Sequence, residues 1–145
     1  MAEFEYPAVD FSKFTVLIVD DEEPYRKFLS KIIGKHLKAT TDTAANPKEA
    51  FEYMKEKIPD LVLLDMQMPI MDGYTTLKKM RESNMLKDVP VIVCTALIYK
   101  ELLLKLAQLD IDAYILKPSD IKTILDKVYN SLKKIKDKKN KPEDK

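Results

Sequence analysis

The chain has 145 residues, 46% hydrophobic and 34% charged, which suffices for one packed core but not for two ordinary domains. Residues 133–145 hold seven lysines against three acidic residues, so this segment carries +4 and the remainder −3. A mildly acidic body offers no basic field for nucleic acid, so we expect no nucleic-acid binding. No apolar run approaches the roughly 18 residues of a membrane span and no signal pattern is present, so we expect a cytoplasmic protein without membrane association.

Cysteine and histidine are too scarce for several kinds of chemistry. The single Cys94 cannot form an internal disulfide, and the single His36 has no neighbours at metal-ligand spacing. Zinc sites, iron–sulfur clusters and histidine-based nucleophilic catalysis are therefore excluded. We expect Cys94 to be a small core residue of a strand.

Five apolar strand patterns alternate with segments of helical periodicity along the chain. We predict strands over 15–19, 39–43, 61–64, 90–94 and 113–116. Five helices are predicted. The first spans 22–37, the second follows a cap at Asn46 and the third begins near Gly73. The fourth has a buried stripe of Ile98, Tyr99, Leu102, Leu103, Leu106 and Leu109, and the fifth has a stripe from Ile121 to Ile135. Leu104 falls on the far side of the fourth helix.

The strand patterns predict an α/β fold. The third and fourth strands are continuous apolar runs, as expected for central strands covered on both faces. Right-handed crossovers then favour a doubly wound, five-stranded parallel sheet of order 2-1-3-4-5, a flavodoxin-like arrangement with helices on both faces.

Polar residues follow four of these strands. Asp20 and Asp21 come after the first strand, Asp65 after the third, Thr95 after the fourth and Lys117 after the fifth. Because parallel strands end at one edge of the sheet, we expect these side chains to share a crevice. Each residue alone would be an ordinary turn or strand-end residue, but five such placements together predict a site.

The residue types predict metal-assisted phosphoryl transfer. Carboxylates about 4 Å apart repel one another by several kcal/mol, so a cluster of three requires a cation, and Mg²⁺ suits oxygen ligands. We expect Asp20, Asp21 and Asp65 to bind it. Asp65 is the predicted phosphoacceptor, and Lys117 and Thr95 are expected to stabilise the phosphoryl oxygens.

These motifs resemble the receiver domain of two-component response regulators, in particular single-domain regulators of the chemotaxis type. The resemblance runs from about Phe14 to Leu132 and is carried by DMQMPIMDG at residues 65–73, together with the acidic pair, Thr95-Ala96 and Lys117-Pro118. It implies a switch that accepts a phosphoryl group from phosphohistidine and that catalyses only its own phosphoryl transfer and slow autodephosphorylation.

The resemblance also implies roles for further residues. The backbone carbonyl of Gln67 would be a metal ligand, Thr95 and Tyr114 would form the switch pair, and the small Ala96 would leave access to the site open. The Gln67 and Leu97 side chains would affect phosphoryl lifetime. Pro69 and Gly73 are expected to set the shape of the loop.

The sequence departs from the family pattern in two places. Asp110-Ile111-Asp112 precedes the fifth strand where the family often has glycine, so the geometry of that turn is open. Leu97 cannot hydrogen-bond to a water, which predicts slow self-dephosphorylation. Asp72, Asp110 and Asp112 are expected to be turn formers without a chemical role.

The expected partners are proteins. A sensor histidine kinase or histidine phosphotransfer protein would exchange the phosphoryl group, and a downstream protein would dock on helix 4, strand 5 and helix 5, a surface that could also form a homodimer. We assign residues 1–13 to an N-terminal extension that either packs on the body, binds a partner or is disordered, 14–135 to the receiver domain and 136–145 to a disordered lysine-rich tail without an effector domain.

Three other functions are alternatives to a phosphorylated receiver domain. A receiver-like scaffold would bind its partner without phosphorylation. A haloacid-dehalogenase-like phosphohydrolase would need an acidic side chain where Gln67 stands, and a flavodoxin-type flavin carrier would need a phosphate loop where the chain has Asp20-Asp21-Glu22-Glu23.

Overall fold

The computed structural model describes residues 4–68 and 71–140. Five strands and five helices alternate: β1 Thr15–Val19, α1 Glu23–Leu37, β2 Thr40–Ala44, α2 Pro47–Glu56, β3 Leu61–Asp65, α3 Gly73–Glu82, β4 Val91–Thr95, α4 Lys100–Gln108, β5 Ala113–Leu116 and α5 Ile121–Asn140. The predicted elements are therefore confirmed, with each strand bound within one residue of its prediction. None of the described helices combines the length and the apolar character needed to cross a membrane.

The strands form one parallel sheet in the order β2-β1-β3-β4-β5, which confirms the predicted doubly wound topology. Val19 of β1 is aligned with Leu64 of β3, and Asp65 with Cys94 of β4. Thr95 is aligned with Leu116 of β5. The register therefore brings the ends of four strands to one edge.

The sheet has a hydrophobic core on each face. Side chains of a strand alternate between faces, so Val16 and Ile18 of β1 pack toward α1 and α5, whereas Leu17 and Val19 pack into the second core with residues of α2, α3 and α4. Every residue of β1, β3 and β4 is buried. Full burial on both faces explains why these central strands read as continuous apolar runs.

Local capping explains where two helices begin. The Asn46 side chain accepts a hydrogen bond from the Glu49 backbone N–H at 2.9 Å, and the Asp72 side chain accepts one from the Thr75 N–H at 2.7 Å. Asp72, predicted to be a turn former, is thus the N-cap of α3. In the turn before β5, Asp110 adopts a left-handed φ of 56°, a conformation that aspartate tolerates better than most residues.

Helix α4 differs from its predicted stripe. Leu106 is buried and Ile98, Leu102 and Leu109 are partly buried, but Tyr99 and Leu103 are exposed, as is Leu104. The stripe prediction is wrong for Tyr99 and Leu103 and correct for Leu104. Helix α4 lies at the margin of the second core, so only a narrow strip of its surface contacts the sheet.

The described part of the C-terminal segment is helical and contacts the rest of the chain. Helix α5 continues to Asn140, so the disorder predicted for residues 136–140 is wrong. Lysines of this last segment bind the body: Lys136 Nζ donates to the Asp10 carbonyl oxygen at 2.7 Å, and Lys139 Nζ contacts Asp60 Oδ1 at 2.9 Å. Residues 141–145 lie outside the described residues.

The N-terminal segment packs across α1 and α5. Phe11 is 1% exposed and belongs to the first core, with its ring 5.9 Å from that of Phe14. Tyr6 stacks on Tyr129 at 5.0 Å, and its hydroxyl donates to Asp126 at 2.8 Å. Of the three alternatives for this segment, the structure therefore favours packing on the body.

Candidate metal and phosphoryl-transfer site

Three carboxylates meet at the carboxyl edge of the sheet. Ligand oxygens of Asp20, Asp21 and Asp65 lie within 4.8 Å of one another. Asp20 is 1% exposed and Asp65 4%, whereas Asp21 faces solvent. Each buried carboxylate accepts one backbone N–H, Asp20 from Glu22 at 2.9 Å and Asp65 from Gln67 at 3.2 Å. Two buried anions at this separation require positive charge nearby.

Lys117 supplies part of that charge. Its Nζ donates to Asp20 Oδ2 at 2.7 Å and lies 3.5 Å from Asp65 Oδ1, and its side chain is only 13% exposed. Burial alone would lower the pKa of Lys117, but the hydrogen bond with Asp20 and the charge of Asp65 outweigh burial and raise it. Lys117 is therefore a fixed cation between two carboxylates.

The charge balance at Asp65 remains unfavourable for the carboxylate. Burial raises its pKa to about 6, and the charges of Asp20 and Asp21 act in the same direction, while Lys117 and the Gln67 N–H oppose the change. One ammonium thus does not compensate three carboxylates. A divalent cation at the cluster would do so, and the hard oxygen ligands fit Mg²⁺.

Gly73 lets the loop after β3 close over the strand end. Its N–H donates to the Met66 carbonyl oxygen at 3.0 Å, and a Cβ at this position would lie 2.2 Å from the Asp65 carbonyl oxygen. No side chain fits there, which supports the predicted role of Gly73 in loop shape. Pro69, the other residue predicted to shape this loop, lies outside the described residues.

Thr95 is placed at the site edge but its hydroxyl is engaged elsewhere. The residue is buried, its Oγ donates to the Leu97 carbonyl oxygen at 2.9 Å, and it accepts the Leu97 N–H at 3.2 Å. Ala96 and the Leu97 side chain are exposed. Thr95, Leu97 and Gln67 line a cavity of about 310 Å³ between the loops after β3 and β4.

Tyr114 lies in β5, half-buried against the second core. Lys127 of α5 lies 4.8 Å from the centroid of its ring and donates a hydrogen bond to its backbone carbonyl oxygen. The structure thus places Tyr114 between the α4 side of the sheet and α5. The ring has no hydrogen bond with Thr95 among the described contacts.

Cys94 is buried in the first core, as predicted. Burial raises the pKa of its thiol to about 12, so the thiol stays protonated and is a poor nucleophile. This favours a packing role over a redox role.

Two residues of α1 contact the site and were missed by the sequence reasoning. Arg26 Nη1 donates to the Asp20 carbonyl oxygen at 2.6 Å, and the Tyr25 ring lies against Lys117, with 4.4 Å from Nζ to the ring centroid. The available signal was their position in the first turn of the helix that directly follows the acidic pair. That turn starts at the same sheet edge.

The chain belongs to the response regulator receiver domain family, whose model matches residues 16–129. It is 34% identical over 117 residues to the chemotaxis protein CheY of Halobacterium salinarum, which covers 81% of this chain and 95% of that protein. It is also 34% identical to part of the sensor histidine kinase CheAY of Helicobacter pylori, covering 84% of this chain and 15% of that protein.

Comparison of structures gives the same fold. The chemotaxis protein CheY4 of Vibrio cholerae superposes with a TM-score of 0.76 at 24% identity, covering 81% of this chain and 98% of that one. The family membership confirms the predicted resemblance to receiver domains. It also removes the phosphohydrolase and flavin-carrier alternatives.

Proposed function

We propose that this protein is a phosphorylation-dependent signalling switch in a two-component phosphorelay. The observation that carries the proposal is the buried pair Asp20 and Asp65 with the Lys117 ammonium between them, in a chain of the receiver family. A phosphoryl group adds negative charge beside these two carboxylates, so it can be bound there only if cations neutralise it. Lys117 is one such cation, and neutralisation by cations is how phosphoryl-transfer sites stabilise the transferring group.

Asp65 is the proposed nucleophile. One of its carboxylate oxygens forms a bond to phosphorus while the bond from phosphorus to the imidazole nitrogen of phosphohistidine breaks, and the imidazole leaves with the electron pair and takes a proton from solvent. The product is an aspartyl phosphate. Although the pKa of Asp65 is raised to about 6, it still lies below neutral pH, so the carboxyl group is mainly ionised there and available for attack.

The surrounding residues stabilise the transferring group. Lys117 is already held by burial and by two carboxylates, so it needs little reorganisation to donate to a phosphoryl oxygen. Mg²⁺ bound by Asp20, Asp21, Asp65 and the backbone carbonyl of Gln67 would supply the remaining positive charge. The exposed Ala96 leaves the approach from solvent open.

The proposed output is protein docking. Receiver domains pair with histidine kinases, and a kinase or a histidine phosphotransfer protein is the proposed source of the phosphoryl group. Release of Thr95 from Leu97 toward the phosphoryl group, accompanied by movement of Tyr114, would alter the surface of α4, β5 and α5. Exposed Tyr99, Leu104 and Leu116 on this surface support docking of a downstream partner or of a second copy.

Intact-mass measurement after incubation with acetyl phosphate and Mg²⁺ tests the proposal. We expect the wild type to gain one phosphoryl group, Asp65→Asn to gain none, and the control Asp88→Asn, which changes an exposed carboxylate away from the cluster, to behave as the wild type. Omission of Mg²⁺ should strongly slow the reaction. A wild type that gains no mass would instead favour the scaffold that binds its partner without phosphorylation.

A further inference from the structure

Tyr25 has an unusual environment for a tyrosine. It lies in the first turn of α1, its ring packs beside Phe28 at 6.0 Å between centroids, and the Lys117 ammonium lies 4.4 Å from the centroid of its ring. Its hydroxyl oxygen is enclosed and has no hydrogen-bond partner among the described residues. The aromatic ring of Tyr25 therefore has a favourable partner, whereas its hydroxyl group has none among the described residues.

The buried hydroxyl of Tyr25 destabilises the folded protein, whereas the face of its ring can stabilise the Lys117 ammonium. A buried hydroxyl without a partner loses its hydration without compensation, so this group does not explain why a tyrosine occupies the position. The face of an aromatic ring, by contrast, attracts an ammonium at this distance, most strongly where water is excluded. Burial raises the pKa of Tyr25, so the ring stays a neutral phenol and does not act as an anionic partner of Lys117.

Apart from the Tyr25 ring, the described contacts that hold the Lys117 ammonium are with carboxylates of the proposed metal cluster. The ammonium has one short hydrogen bond, to Asp20 at 2.7 Å, and a longer contact with Asp65 at 3.5 Å. A cation bound at Asp20 would draw that carboxylate away from Lys117 and weaken the short bond. The ring contact does not involve a carboxylate, so it would persist when the carboxylates engage a metal.

We propose that Tyr25 is a positioning residue of the phosphoryl-transfer site, in which the face of its ring, and not its hydroxyl, holds the Lys117 ammonium beside Asp65. The role rests on the proposed function, because the held ammonium is the group that meets the phosphoryl oxygens. The contact itself exists in the unphosphorylated protein and can be measured independently of phosphoryl transfer.

Two substitutions separate the ring from the hydroxyl. Tyr25→Phe keeps the aromatic face and removes the unpartnered hydroxyl, whereas Tyr25→Leu keeps an apolar side chain and removes the face. With acetyl phosphate and Mg²⁺, we expect Tyr25→Phe to retain the wild-type rate within about twofold and Tyr25→Leu to lose about 2- to 30-fold, the range expected for one cation–π contact. Tyr129→Leu, which removes a half-buried aromatic ring from α5, is the matched control and should retain the rate.

The second measurement is the NMR shift of the Lys117 ε-methylene protons, with and without Mg²⁺. The ring current should move these signals upfield in the wild type and in Tyr25→Phe, and they should return to ordinary lysine positions in Tyr25→Leu. Tyr25→Met provides the same comparison if the leucine variant fails to fold. Unchanged lysine shifts in the leucine or methionine variant would overturn the proposal.

The outcomes distinguish this proposal from the proposed function. Equal loss of rate in Tyr25→Phe and Tyr25→Leu would assign the role to the hydroxyl and overturn the proposal, as would equal retention in both. If the wild type is not phosphorylated at all, the proposed function fails, and the lysine shifts still decide whether the ring holds the ammonium.

Discussion

Asp65 is held in a state that disfavours its own ionisation. Burial and two neighbouring carboxylates raise its pKa from 3.8 to about 6 in the folded protein, despite the opposing charge of Lys117. Because the folded state binds this proton more tightly than the unfolded state, stability falls as the pH rises from about 4 to about 6 and stays low above that range. The ionised Asp65 carboxylate thus lowers the free energy of unfolding when no cation is bound beside it.

Removal of this charge should therefore stabilise the metal-free protein. We expect Asp65→Asn to raise the free energy of unfolding by about 1–3 kcal/mol at pH 7.5 and to have a much smaller effect near pH 4, where the carboxyl group is protonated in the folded state and about half ionised in the unfolded state. Urea unfolding without Mg²⁺ at the two pH values measures the difference. An equal gain at both pH values would contradict the electrostatic explanation, and Asp88→Asn is the control.

Leu97 bears on the lifetime of the phosphorylated state. Its side chain is 58% exposed and lines the cavity that also contains Gln67 and Thr95. A leucine at the mouth of the site cannot orient a water molecule toward phosphorus, so slow hydrolysis is expected for the wild type.

A hydrogen-bonding side chain at this position should shorten the lifetime. We expect Leu97→Glu to reduce the half-life of the phosphorylated protein about 2- to 10-fold, the effect of one water-orienting hydrogen bond. Leu104→Glu is the matched control, since Leu104 is equally exposed, at 56%, but lies on α4. Loss of the phosphoryl group is followed by intact mass after removal of acetyl phosphate, and a half-life no shorter than that of the control would reject the role of Leu97.

At the scale of elements, the sequence pattern predicted the central strands and the positions of their ends. Strands β1, β3 and β4 are buried on both faces, so the continuous apolar runs and the strand ends that carry Asp20, Asp65 and Thr95 could be identified from the sequence. Helix α4 lies at the margin of the core, where apolar residues also occupy the exposed face. Its Tyr99 and Leu103 therefore misled the stripe prediction.

Contacts between segments that are distant along the chain could not be predicted from the sequence patterns. The ring of Tyr25 over Lys117 joins residues from α1 and from the end of β5, and no local pattern encodes that distance. The same holds for Thr95, whose position was predicted but whose hydrogen bonds with Leu97 depend on the path of the loop after β4.

The N-terminal segment also makes contacts with distant parts of the chain. Its contribution to the free energy of unfolding can be measured. Phe11 is fully buried, with the Phe14 ring at 5.9 Å and the Tyr129 ring edge-on at 5.7 Å. We expect Phe11→Ala to reduce the free energy of unfolding by about 3–5 kcal/mol in urea denaturation. Phe4→Ala, at a half-buried ring of the same segment, should cost only about 1 kcal/mol. Similar small losses for both variants would mean that the segment does not belong to the core.

At the scale of the whole molecule, one sheet connects the site to the proposed docking surface. The site lies at the ends of β1, β3, β4 and β5, while β5 with α4 and α5 forms the surface. Thr95 links the two, because its hydroxyl is bound to Leu97 in the loop that leads into α4. A phosphoryl group that attracts this hydroxyl would release the loop, and the shift depends on how strongly the group prefers the released state.

Loss of the Thr95 hydroxyl should therefore uncouple binding from switching. For a switch driven to 99:1, loss of one hydrogen bond of about 1.5–3 kcal/mol to a charged group lowers the active population to between about 40% and 90%. We expect Thr95→Ala with Mg²⁺ and beryllofluoride to show wild-type NMR shifts around Asp20 and Asp65 but reduced shifts for the leucine methyl groups of α4 and for the Tyr114 ring. Thr43→Ala, at an exposed threonine of β2, serves as the control. Full α4 shifts in Thr95→Ala would mean that the signal reaches the docking surface by a route that does not include this hydroxyl.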